Sequence, residues 1–179
     1  MGGKLKEEDD SVFQSIVCAI ADLLVIEGYE TLIPQVGANL VYADPNATKT
    51  EDVAALTGRI IKTIYGPISC GEVVYGASKY LSSVVLEALK IDNGIRAALN
   101  IRAHKDLTVK LRKIGLRVEI LPQKTVVDEC PVSHFIKESG CLVDVYVHMG
   151  DFGIEPTTTI ISESPEDLVG VIRKLLEYE

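Results

Sequence analysis

Histidine is scarce in this 179-residue chain: His104, His134 and His148 are all there is. None is read as paired with a carboxylate or a second histidine at metal-ligand spacing, so each is expected to be structural or on the surface. A zinc site of the kind that needs a histidine cluster is thereby excluded. The four cysteines (Cys18, Cys70, Cys130, Cys141) have no Cys-x-x-Cys spacing and read as reduced thiols rather than a disulfide framework. No apolar run reaches the ~18 residues of a membrane span, because Gln14, Ser15 and Asp22 interrupt the longest candidate. Glu7–Asp10 has the wrong sign for a signal peptide. These features point to a cytoplasmic protein with no membrane partner. Cationic residues are outnumbered, and the net charge of −8 excludes a nucleic-acid surface covering the whole molecule. The chain also lacks a Walker A motif, a dinucleotide Gly-x-Gly-x-x-Gly and a credible Ser-His-Asp order.

What is present suits one globular domain. Hydrophobic residues make up 47% and charged residues 25%. The length supports one sizeable core. Residues 1–10 read as a disordered or added tail and 11–179 as a single domain.

Phe13, Ile16, Val17, Ile20, Leu23 and Leu24 follow the helical period, and Gly28 is placed to end that helix. Strands are expected at 38–43, 59–64, 72–75, 97–102, 116–121, 142–147 and 157–161. A short helix is expected at 50–55 and a turn at Gly66-Pro67. Further helices are expected after Ser78 as N-cap, over 105–114, before Gly140, and after Ser164-Pro165. Interleaved strands and helices imply a layered α/β domain.

The residues that suggest chemistry lie mainly between Gly58 and Arg102. Gly76-Ala77-Ser78 stands where a strand gives way to a helix, where small residues and free N–H groups can admit an anion. A tight turn with a serine cap explains the same residues without a ligand. Arg59 and Arg102 end apolar strands, and a guanidinium can grip phosphate with two parallel bonds; a solvated strand end is the simpler reading of each. Lys79 adds charge beside the cap. Asn39 and Asn100 are candidate polar contacts. Asp151, in Gly150-Asp151-Phe152-Gly153, is placed to hold a ligand hydroxyl or a metal, or to make a structural turn bond.

With these residues in view, the chain resembles the ThiN family, the archaeal-type thiamine phosphate synthase domain. The stretches that carry the resemblance are LIPQVGANLVYADPNA (32–47), EDVAALTGRI (51–60), GASKY (76–80), IRAALNIR (95–102) and GDFGIEP (150–156), in the family's order. The resemblance implies a three-layer α/β/α sandwich like the class II aldolases. It implies a pocket for thiamine monophosphate or its precursors, hydroxymethylpyrimidine diphosphate and thiazole phosphate. Magnesium would help with the diphosphate. It also implies a homodimer and a kinase or DNA-binding partner, fused or separate, outside this chain. Two residues are tied to catalysis in the family. The arginine of Gly-Arg-Ile is retained as Arg59; the histidine of Gly-Ala-Ser-Ser-His is replaced by Tyr80. A phenol with a pKa near ~10 is a poor proton shuttle at neutral pH but can donate a hydrogen bond to phosphate. The expectation is therefore a ligand-sensing or catalytically degenerate member, with an active synthase as the alternative.

Overall fold

The computed structural model describes residues 10–122, 129–150 and 155–178. Helix α1 (Asp10–Val25) buries Val12, Ile16, Ala19, Ile20 and Leu23 along one stripe. It stops at Val25, before Gly28, whose φ of 85° serves the turn that follows. Strand β1 (Leu40–Ala43) comes next, then a single 3₁₀ turn (Thr50–Asp52) that runs straight into β2 (Val53–Leu56).

The expected helix over 50–55 is therefore wrong beyond its first turn. All four β2 residues are buried, and pairing with β1 on one side and β5 (Val73–Tyr75) on the other overrides local preference. Gly66-Pro67 is a second correction. The turn of that hairpin is Ile64-Tyr65, between β3 (Ile60–Thr63) and β4 (Gly66–Ser69). Pro67 is accommodated because β4 belongs to a separate two-stranded ribbon, where a missing donor is tolerated. The ribbon's tip is open to solvent: Ile64 is 90% and Tyr65 92% exposed.

The remaining elements alternate. They are α2 (Lys79–Leu89), β6 (Ala97–Arg102), α3 (Lys105–Lys113), β7 (Val118–Ile120), α4 (Pro131–Ser139), β8 (Val145–His148), β9 (Thr157–Ser162) and α5 (Pro165–Glu177). Ser164 caps α5 as expected, its hydroxyl accepting from Asp167 N–H at 3.2 Å. Ser78 occupies the N-cap position of α2, but its side chain makes no cap bond.

The main sheet has seven strands in the order β5-β2-β1-β6-β9-β8-β7, and only the β7–β8 pair is parallel. Period-2 alternation divides each strand between two cores. Leu40, Ala54, Leu99, Val145 and Ile160 face a core shared with α1, α3 and α5. Val41, Ala55, Ala98, Tyr146 and Ile161 face a second core shared with α2 and α4. The result is a three-layer α/β/α sandwich in one domain.

Candidate functional site

The second core changes character toward one end of the sheet. Two residues on from the core members Val41, Ala98, Ile161 and Tyr146 stand Asn39, Asn100, Thr159 and His148. Alternation keeps each on the face of its neighbour two residues away, so the four carry that face onward as a polar row. Asn39, Thr159 and His148 are buried and Asn100 is half-buried. Asn100 and Thr159 are direct cross-strand partners.

The row is internally bonded. Asn100 Oδ1 accepts from Asn39 N–H at 2.7 Å, and its Nδ2 donates to Gly37 C=O at 3.3 Å. Asn39 Nδ2 donates to Leu56 C=O at 3.1 Å, while its Oδ1 accepts from Leu40 N–H at 2.9 Å and Leu56 N–H at 3.3 Å. A buried amide that meets this many partners is held in one orientation. His148 Nδ1 accepts from Gly150 N–H at 3.2 Å, so the neutral ring carries its proton on Nε2.

Arg59 joins this row from the ribbon. Ala38 and Ile60 form an antiparallel bridge and both face the first core, which sets Asn39 opposite Arg59 on the other face. Arg59 is exposed, and its approach depends on Gly37. Gly37 has φ 84°, and a Cβ there would lie 2.9 Å from Arg59 Cβ. The 34–37 turn is held by Glu155, which accepts from Gln35 N–H at 2.8 Å and Val36 N–H at 3.0 Å.

Other sequence candidates lie elsewhere. Gly76 donates to Val53 C=O at 3.0 Å, at the far end of β2 from Leu56. Three strand residues separate those ends, about 10 Å. Gly76, Ala77, Ser78, Lys79 and Tyr80 therefore stand apart from Asn39, Asn100 and Arg59 along the sheet. Tyr80 is 54% exposed and lines a hollow of about 220 Å³ between α2 and α4. Arg102 is in a third place: its Nη1 donates to Thr31 C=O at 3.3 Å, and it lines a different hollow with His104 and Lys110. Asp151 lies outside the described residues.

Two histidines depart from the expectation that none is paired. His134 Nδ1 meets Glu129 Oε2 at 3.0 Å, and His104 Nδ1 lies 3.4 Å from Asp106 Oδ2. Sequence reasoning missed the first because it looked for metal-ligand spacings, not for a loop carboxylate folding back onto its own helix. It also missed Thr159 and His148, whose signal is the strand register that continues a core face into polar residues.

Electrostatic perturbation is confined to structural sites. Burial pushes the Tyr146 phenol up to about 12. Burial acts to raise the Asp144 carboxyl, but its bonds with the Arg117 side chain and backbone outweigh this and hold it below the ordinary carboxylate range. Arg117 Nη2 lies 2.8 Å from Asp144 Oδ1, clamping the start of β8. Among the described residues no group of three or more His, Cys, Asp or Glu could hold a metal ion. No helix among them is long and apolar enough to cross a membrane.

Known proteins share this arrangement. The family model for thiamine-phosphate synthase ThiN matches residues 16–174. The chain belongs to the ThiN family. It is 31% identical over 151 residues to the bifunctional thiamine biosynthesis protein ThiDN of Methanocaldococcus jannaschii, a match covering 81% of this chain and 35% of that protein. The chain thus spans about a third of that relative's length. It is 26% identical over 160 residues to the thiamine-phosphate synthase ThiN of Methanothermobacter thermautotrophicus, covering 84% of each. Among solved structures it is similar to the C-terminal domain of a phosphomethylpyrimidine kinase, with a TM-score of 0.82, 27% identity, and coverage of 94% of this chain and 100% of that one. An l-fuculose-1-phosphate aldolase from Thermus thermophilus has a TM-score of 0.53 at 18% identity, covering 94% of this chain and 91% of that one; it shares the fold of this ThiN domain and nothing finer is drawn from it.

Proposed function

We propose that this ThiN domain binds thiamine monophosphate or a related thiamine phosphate, as a ligand-sensing or catalytically degenerate form. The observation that carries the reading is the row Arg59–Asn39–Asn100, which sets a free-standing guanidinium beside two fixed amides. A guanidinium suits a phosphate, and fixed amides suit the polar edge of a pyrimidine. Tyr80 stands where the family's pattern has histidine, and it lies on α2 rather than in that row.

Magnesium belongs to the proposal only as a companion of diphosphate. The described residues offer no cage of their own. Mg²⁺ is commonly held by one or two carboxylates together with substrate phosphates. No step is routed through it here. The proposal extends to a cytoplasmic homodimer working with a kinase or DNA-binding partner, fused or separate. The bifunctional relative supports the kinase arm.

The alternative is an active thiamine phosphate synthase, favoured by the relative of that name that aligns over 84% of both chains. Incubation with hydroxymethylpyrimidine diphosphate, thiazole phosphate and magnesium decides between them. The sensing form yields no thiamine monophosphate, yet binds it in calorimetry. Turnover comparable to a histidine-bearing relative overturns the sensing form. Absence of binding at millimolar thiamine monophosphate overturns both. Tyr80→His is expected to raise any residual turnover.

A further inference from the structure

The hollow between α2 and α4 collects charge that the polar row does not use. From α2 come Lys79, Tyr80 and Glu87; from α4 and the residues leading into it come Glu129, Cys130, His134 and Lys137. The two carboxylates are engaged. Glu87 is 2.7 Å from Lys90 Nζ, and Glu129 Oε2 is 3.0 Å from His134 Nδ1. Lys137 has no carboxylate partner among the described residues, and Lys79 Nζ lies over the Tyr80 ring at 5.9 Å. The hollow therefore opens two ammonium groups and one phenol toward solvent.

His134 adds a third nitrogen donor. An ionised carboxylate only accepts, so Glu129 places a proton on Nδ1. Nε2 is then the ring atom left for a ligand. When the ring is protonated, Nε2–H becomes a donor and the Glu129 charge favours that form. A compact ligand with several acceptor oxygens and more than one negative charge satisfies all of these groups at once.

We infer that the α2/α4 hollow is a phosphate-class anion site, in which Lys79, Lys137 and protonated His134 grip a diphosphate or phosphate group and Tyr80 donates a further bond. This extends the thiamine phosphate reading by a second anion subsite, and its donors are independent of the Arg59 row. Binding tightens as pH falls through the range in which histidine gains its proton.

The test titrates inorganic pyrophosphate into the whole chain, with inorganic phosphate and sulfate in parallel, followed by calorimetry and by NMR of the His134 ring across pH 5.5 to 8. Saturable pyrophosphate binding is expected, tighter at the acid end and moving the His134 ring resonances. Lys137→Ala and His134→Gln should each weaken it about tenfold, as expected for one lost charge-assisted bond. His134→Gln should also flatten the pH dependence. Lys174→Ala, an exposed residue on α5 behind the opposite face, should retain full affinity. Unchanged affinity in both groove variants overturns the inference. So does equal binding of sulfate, or a response confined to Arg59 and Asn39. Thiamine monophosphate binding that survives such a result leaves the Arg59 row standing. Its loss in Arg59→Ala, with pyrophosphate binding intact, separates the two the other way.

Discussion

The polar row beneath the second core and the α2/α4 hollow are built on opposite principles. In the row, Asn39 and Asn100 spend their hydrogen-bonding capacity on backbone groups from Gly37 to Leu56, deep in the sheet. Its geometry exists because the sheet exists. In the hollow, long flexible side chains from two helices meet solvent, and the Glu129–His134 pair is the main fixed point. The row can offer shape and direction; the hollow can offer charge. A ligand with a ring at one end and phosphates at the other needs both.

The sharpest way to break this contrast is at Asn39. Asn39→Ala removes three buried hydrogen bonds and is expected to lower stability by about 3 kcal/mol, at about 1 kcal/mol per bond. A shifted urea midpoint with an unchanged slope would show it. No comparable loss is expected from His134→Gln in the hollow. Next comes Gly37→Ala. The residue would need a positive φ and would press on Arg59, for a cost of about 2 kcal/mol in the same measurement. A thiamine monophosphate titration should then reveal a displaced Arg59 as weaker binding.

Arg59→Ala separates binding from folding. Its side chain is exposed, so stability should hold while affinity for thiamine monophosphate falls about tenfold, the value of a charged hydrogen bond left unmade. Equal affinity would remove Arg59 from the site. The smallest effect concerns pH. The Asp144 carboxyl is lowered in the folded state, so its contribution is full above the unfolded pKa of about 3.9 and is lost as pH falls through the folded value. The contribution is below about 1 kcal/mol, because Arg117 is largely exposed. Arg117→Met should erase the difference between thermal midpoints at neutral and at strongly acid pH.

Much of this was legible in the residues. β6 runs over Ala97–Arg102, matching its apolar run end to end. The Ser164-Pro165 start of α5 behaves as its cap chemistry requires. The misreadings share a cause. Val53–Leu56 has no strong period, and only its two sheet neighbours make it a strand. Gly66-Pro67 carries turn residues, yet register placed the turn at Ile64-Tyr65 and used Pro67 on a ribbon. Arg59, Asn39 and Asn100 could be singled out one by one. Their meeting depends on a bridge between Ala38 and Ile60 and on β1 pairing with β6, contacts between residues far apart in the chain.

Local chemistry settles what each segment can be, since capping, period and turn preference act over a few residues. The chain's family and its Tyr80 were therefore readable without coordinates. Which side chains share a surface depends on strand pairing and on which core each face joins. That pairing divided the candidates among the polar row, the α2/α4 hollow and the place where Arg102 meets Thr31. It also carried Glu129 back onto His134, giving the hollow its imidazole.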